Sequence, residues 1–303
     1  MSDYRTEDVP VRGGMLRVGC WQSGEPERVV LAIHGITSTH LAWPLVAERL
    51  TDTLVLAPDL RGRGRSADLP GPWGMAQHAD DLAAVLTALA PGRRAVLAGH
   101  SMGGFVAVAL ATAYPELAGS VVLVDGGIPL VLPDGWELAE AARVGLGPAA
   151  ARLEQTFPDR AAYQAFWREH PAFAGQFSDA VAAYVDYDLR PDGPPWRSSC
   201  QPEAMFADHA EQFTGGPVDH AWPSLTAPVS LLRAPRGLQD EPGGLYTEAA
   251  LDRWHDEHPA FHWQNVDGVN HYTITLGEAG AAAVSAAIAE QRPAAPQLRA
   301  PAG

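Results

Sequence analysis

Residues 94–113 read RAVLAGHSMGGFVAVALATA. The first part, Arg94–His100, is a short and nearly continuous apolar run. A strand buried on both faces reads this way, without polar alternation. The last part, Met102–Ala113, is an Ala/Val-rich helix. Between them stands Gly99-His100-Ser101-Met102-Gly103, a G-x-S-x-G sequence at a strand-to-helix turn. Such a turn is sharp and strained, so small residues are needed where backbones pack closely. The Ser101 hydroxyl is expected to project from it, over the N-terminus of the following helix. Free N–H groups and the helix dipole there favour a developing anion. This is the setting of a nucleophile elbow.

The same rhythm extends outward in both directions. Val9–Trp21 reads as a hairpin turning at Gly13-Gly14. Arg28–His34 and Thr53–Asp59 read as buried strands, with an apolar helix near Leu41–Leu50 between them. Ala76–Ala90 is a helix, and Ser120–Gly126 a further strand. Residues 130–225 then hold helical patterns, many prolines and Trp136, Trp167, Trp196 and Trp222, but no convincing strand. The alternation resumes with strand Pro228–Ala234, helix Thr247–Glu257, strand Phe261–Val266 and helix Gly277–Glu290. Strands alternating with helices imply a parallel sheet with right-handed crossovers. Residues 1–129 and 226–291 are therefore read as one core, and 130–225 as a helical cap inserted at a strand end. In open α/β sheets that end is where ligands bind. Residues 292–303, RPAAPQLRAPAG, read as an unpacked Pro/Ala tail.

A serine hydroxyl needs a base. The last histidine, His271, follows the final strand in a turn, where it can reach back over the sheet. His255, His258 and His262 compete weakly: the first two lie in a charged helix and the third within a strand. HDEH is not a zinc pattern and is read as a solvated helix face, and no metal is expected. The acid is the open choice. Asp240, in the loop after Pro228–Ala234, is preferred, because 31 residues before His271 leaves room for one helix and one strand. Asp125, ending the strand at 120–126, is the alternative, and Glu241 a weaker one. Oxyanion donors are expected from the Met102 N–H and, in the loop His34-Gly35-Ile36-Thr37, from the Ile36 N–H. His34 is read as structural. The Asp59–Ser66 loop lacks phosphate-loop spacing and is read as structural too, although its arginines could meet an anionic substrate.

The chain has 303 residues, 47% of them hydrophobic and 19% charged, an ordinary globular balance. Its formal net charge of -15, from 36 acids and 21 bases, argues against nucleic acid or an anionic membrane as partner. Every basic residue is arginine. Cys20 and Cys200 match no metal spacing, and a cytoplasmic chain with reduced thiols is expected. The oligomeric state is not readable.

The HGIT loop, PDLRGRGRS, GHSMGG and GVNH occur in the order found in the α/β-hydrolase superfamily, and the chain resembles it over about residues 10–290. The resemblance implies an eight-stranded, mostly parallel sheet flanked by helices, with a helical cap. It implies Ser101 as nucleophile, His271 as base and no cofactor, with Gly35 and His100 beside the site. The expected reaction is hydrolysis of a carboxylic ester, thioester or lactone of a small, partly hydrophobic substrate. Acyl transfer, carbon–carbon hydrolysis or haloperoxidase-like chemistry could use the same residues. A binding protein on this scaffold is a further reading, because fold alone does not imply catalysis.

Overall fold

The computed structural model describes residues 2–132, 135–137 and 147–291. The Pro/Ala segment 292–303 lies outside them. Eight strands form one sheet: β1 (Asp3–Val11), β2 (Gly14–Gln22), β3 (Arg28–Ile33), β4 (Thr53–Pro58), β5 (Ala95–His100), β6 (Ala118–Val124), β7 (Val229–Arg233) and β8 (Phe261–Asn265). Their spatial order is β1-β2-β4-β3-β5-β6-β7-β8. The two pairings of β2 are antiparallel and all others parallel. The hairpin is longer than expected. Its β1 is an exposed edge strand without an apolar run, and its turn falls at Arg12-Gly13 because Gly14 already pairs with Val11.

The continuous apolar strands have a simple cause. Successive side chains point to opposite faces. Val29, Leu31 and Ile33 enter one hydrophobic cluster, with α2 (Met75–Leu89) and α3 (Met102–Ala113). Val30 and Ala32 enter the other, with Val46 and Ala47 of α1 (Pro44–Ala47). The helix expected over 41–50 is broken: a 3₁₀ turn at His40–Ala42 precedes α1, with Pro44 at its first position.

Between β6 and β7 the described residues form α4 (Gly147–Leu153), α5 (Arg160–Arg168), α6 (Asp179–Asp188), α7 (Pro202–Ala210) and α8 (Pro217–Ala221), with isolated bridges but no strand. Buried polar contacts tie this insertion to the core. Asp208 accepts from the Gly74 N–H at 2.6 Å and pairs with His78 at 3.0 Å. Tyr187 O–H donates to Asp59 at 2.8 Å. Trp167 packs within the insertion against Tyr163 and Phe173. Trp222 instead joins the sheet cluster and donates its Nε1–H to the Gly127 carbonyl at 3.1 Å. After β7 come α9 (Glu248–Glu257), then β8, a short α10 (Thr273–Leu276) absent from the sequence reading, and α11 (Glu278–Glu290). No helix among the described residues is long and apolar enough to cross a membrane.

Candidate active site

Ser101 stands between β5 and α3 with φ 53° and ψ −124°. A non-glycine residue rarely adopts this backbone. It persists because its neighbours leave no alternative. A Cβ on Gly99 would lie 2.2 Å from the Gly103 carbonyl oxygen, and one on Gly103 would lie 2.1 Å from that of Ile33. Both contacts are far inside van der Waals distance, so the strand, turn and helix can close this tightly only with glycine. Ser101 N–H donates to the Val124 carbonyl at 3.0 Å, fastening the turn to β6.

The loop after β3 lies directly over the serine. A Cβ on Gly35 would come within 3.1 Å of Ser101 Cβ and 3.6 Å of its Oγ. The orientation of this loop follows from His34. The Leu60 N–H donates to His34 Nε2 at 2.9 Å, so the ring proton sits on Nδ1 and is donated to the Gly35 carbonyl at 2.7 Å. Burial pushes His34 down to about 3, which keeps it neutral. With the Gly35 carbonyl held, the Ile36 N–H across the same trans peptide points the other way. It has no acceptor among the described residues. Arg63 Nε holds the next carbonyl, that of Ile36, at 2.9 Å. Met102 is the first residue of α3, where an N–H has no acceptor within the helix. Two backbone donors are thus left beside Ser101.

His271 lies in the turn between β8 and α10. Its N–H donates to the Arg236 carbonyl at 3.0 Å, and its carbonyl accepts from His100 Nε2 at 2.8 Å. Burial, then the neighbouring His271, pushes His100 down to about 3. His100 is thus a neutral brace. The His271 Nδ1 is 2.6 Å from Asp125 Oδ2. Asp125 is fully buried, and its other oxygen accepts the Ala234 N–H at 3.1 Å. With the proton on Nδ1 facing a carboxylate, the lone pair of His271 is on Nε2.

The partner of His271 is therefore Asp125, and the preference for Asp240 is corrected. The reason is local. Asp240 is taken by Arg236, four residues earlier, whose Nε donates at 2.8 Å and Nη2 at 2.9 Å. It also accepts from Asn270 Nδ2 at 3.1 Å. Asp240 reaches the neighbour of the histidine, not its ring. Glu241 is exposed and accepts from the Gln239 N–H at 2.7 Å. The loop Asp59–Ser66 is structural. Arg61 is spent on Asp81, Pro70 and Arg12, and Arg63 on Ile36, Arg61 and Asp208. Neither arginine is free for an anion. His255 is bonded to the Phe261 carbonyl, and His258 stacks on Trp254.

Ser101 and His271 share the wall of one cavity of about 700 Å³. Gly35, Ile36 and His100 line it from the sheet side. Arg152, Phe166, Trp167 and Tyr184 line it from the insertion. Sequence reasoning named Ser101, His271, Gly35, Ile36 and His100 of this lining, but not Ser38, Thr275, Phe166, Tyr184 or Arg152, the last of which looks like one more arginine on an apolar helix.

A strained serine and a carboxylate-held histidine thus share one cavity, with two backbone N–H groups beside the serine that have no acceptor among the described residues. The chain belongs to the alpha/beta hydrolase family, whose model matches residues 29–287. It is 30% identical, over 80% of its length and 81% of the relative, to a 2-(acetamidomethylene)succinate hydrolase of Mesorhizobium japonicum. It is 39% identical to Lipase LipV of Mycobacterium tuberculosis over 42% of this chain, spanning about half (49%) of that lipase. Its fold superposes on the thioesterase domain from the curacin biosynthetic pathway with a TM-score of 0.74, at 22% identity, covering 95% of this chain and 99% of that one. The protein is a hydrolase.

Proposed function

We propose that the protein is a serine hydrolase that cleaves a carboxylic ester, thioester or lactone through an acyl-enzyme. The observation that carries this reading is the 2.6 Å contact of buried Asp125 with the Nδ1 of His271, which shares the wall of one cavity with Ser101. His271 Nε2 takes the Ser101 proton as Oγ bonds to the carbonyl carbon, and the carbonyl π pair moves onto oxygen. The Ile36 and Met102 N–H groups donate to that oxyanion. The pair returns, the bond to the leaving group breaks, and His271 gives its proton to the departing alcohol or thiol. Water then repeats the cycle. His271 takes its proton, the acid leaves and Oγ–H is restored. Asp125 holds the ring and stabilises the imidazolium without taking a proton.

The relatives' names span a lipase and a substituted succinate hydrolase, which supports hydrolysis of acyl compounds without fixing the acyl group. The insertion acts as a cap, and its aromatic wall favours a substrate with an apolar part. Hydrolysis of p-nitrophenyl esters from acetate to laurate, with Ser101→Ala alongside, tests the reading. Turnover that vanishes in the variant supports it. Near-full activity of Ser101→Ala would overturn it.

A further inference from the structure

Arg152 has no part in the chemistry above, yet it is the one cation on the cavity wall among the described residues. It sits in α4 with its side chain only 4% exposed. Its Nη1 donates to Asp188 Oδ2 at 2.7 Å and to Tyr163 Oη at 2.6 Å, and its guanidinium lies 5.1 Å from the Trp167 ring centroid. Its Nη2 is buried and has no partner among the described residues. Other buried arginines of this chain are filled. Arg61 engages Asp81, Pro70 and Arg12, and Arg233 engages Tyr246, Gly243 and Asn265. A buried charged donor left open is costly, and Arg152 is one of the residues that line the cavity.

Asp188 does not consume the whole charge of Arg152. It also accepts from Ser198 Oγ at 3.0 Å, from Ser199 Oγ at 3.1 Å and from the Tyr163 hydroxyl. Three hydroxyls share its negative charge, and it fixes only Nη1. The pair thus orients the guanidinium and leaves its second amino group for another acceptor. The acids on the same cavity, Glu169 and Glu241, are both exposed at its rim. Negative charge is therefore favoured beside Arg152 and disfavoured beside Glu169 and Glu241. Phe166, Trp167 and Tyr272 supply apolar wall for the methylenes of an acyl chain.

We propose that Arg152 binds a carboxylate carried by the acyl group, so that the site selects half-esters of short dicarboxylic acids over neutral esters. This rests on the serine hydrolase reading for the turnover arm of its test, and not for the binding arm.

The experiment compares methyl hydrogen succinate, glutarate and adipate with their dimethyl esters. Each pair has the same scissile bond and length and differs in one free carboxylate. In the wild-type protein, kcat/KM at the best length should favour the half-ester about 10- to 100-fold, the range supplied by a charge-assisted hydrogen bond. The gain should lie mainly in KM. Ser101→Ala should bind the half-ester, read by calorimetry and tryptophan fluorescence, more tightly than the diester by a similar factor. Arg152→Met should abolish the preference for the half-ester in both arms. Because that variant strands Asp188, Arg152→Lys is made too. It keeps the charge, lacks the fork, and should lose most of the preference in both arms. Binding of half-esters by Ser101→Ala without turnover by the wild type would sink the hydrolase reading and leave Arg152 standing. Equal treatment of half-ester and diester in both arms, or a preference that survives Arg152→Lys and Arg152→Met, would overturn the role of Arg152.

Discussion

The two walls of the cavity are built on opposite principles. The sheet-side wall is made of backbone. Ser101 is held by glycines that cannot be enlarged, and Ile36 by the two flanking carbonyls, that of Gly35 pinned by His34 and its own pinned by Arg63. The insertion-side wall is made of side chains, Arg152, Phe166, Trp167 and Tyr184, of which Arg152 is oriented by a buried cluster around Asp188. Backbone geometry tolerates no variation without loss of the turn. Side-chain walls can change one residue at a time while the fold persists. On the proposed reading, the contrast assigns the reaction to the sheet and the choice of substrate to the insertion.

Several substitutions probe that division. The largest expected effect is on the sheet side. Ser101→Ala should lower kcat by roughly 10⁵-fold or more, with the melting temperature unchanged or raised. Next, Asp125→Asn should lower kcat by roughly 10⁴-fold, because the amide favours the wrong tautomer of His271. Asp240→Asn should stay within a few-fold of wild type, since Asp240 holds Arg236 and Asn270 rather than the ring. Steady-state kinetics on one ester separates the two. Gly103→Ala drives a methyl into the Ile33 carbonyl and should cost roughly 3 kcal/mol or more of stability, read by denaturant melts. By contrast, Tyr163→Phe on the insertion side should cost about 1–2 kcal/mol and leave the rate on neutral esters nearly untouched.

Acid sharpens the contrast further. Burial pushes His34 and His100 each down to about 3, against an unfolded value of about 6.5. Between those limits the unfolded chain binds two protons that the folded chain does not, so stability falls as pH is lowered. The slope should approach roughly 3 kcal/mol per pH unit between pH about 6 and 4. Calorimetric melts across that range check it, and a flat profile would mean that these rings are not held neutral.

The sheet side was legible in the sequence for the same reason that it is rigid. Strands that feed two cores must be apolar throughout, and a serine at a strand–helix turn must be flanked by glycine. Ser101, His271, Ile36 and Met102 could be named on those grounds. The choice between Asp125 and Asp240 could not be made from position. β6 and β7 are neighbours, and their loops open at the same end of the sheet. One aspartate reaches His271 and the other reaches Asn270, the adjacent residue. The signal that separates them is Arg236, placed four residues before Asp240 and free to neutralise it. The polar edge strand β1 and the break at Pro44 carry no periodic signature. Arg152 was hidden because an arginine in an apolar helix reads as a solvated face. Only the burial of Asp188, Tyr163, Ser198 and Ser199 around it shows otherwise.

The most direct test of the account labels the protein with a fluorophosphonate ester and maps the modified peptide by mass spectrometry, following the labelling rate in wild type, Asp125→Asn and Asp240→Asn. The account predicts a single adduct on Ser101, formed orders of magnitude more slowly in Asp125→Asn and at the wild-type rate in Asp240→Asn. An adduct on another residue, or equal slowing by the two variants, would contradict it.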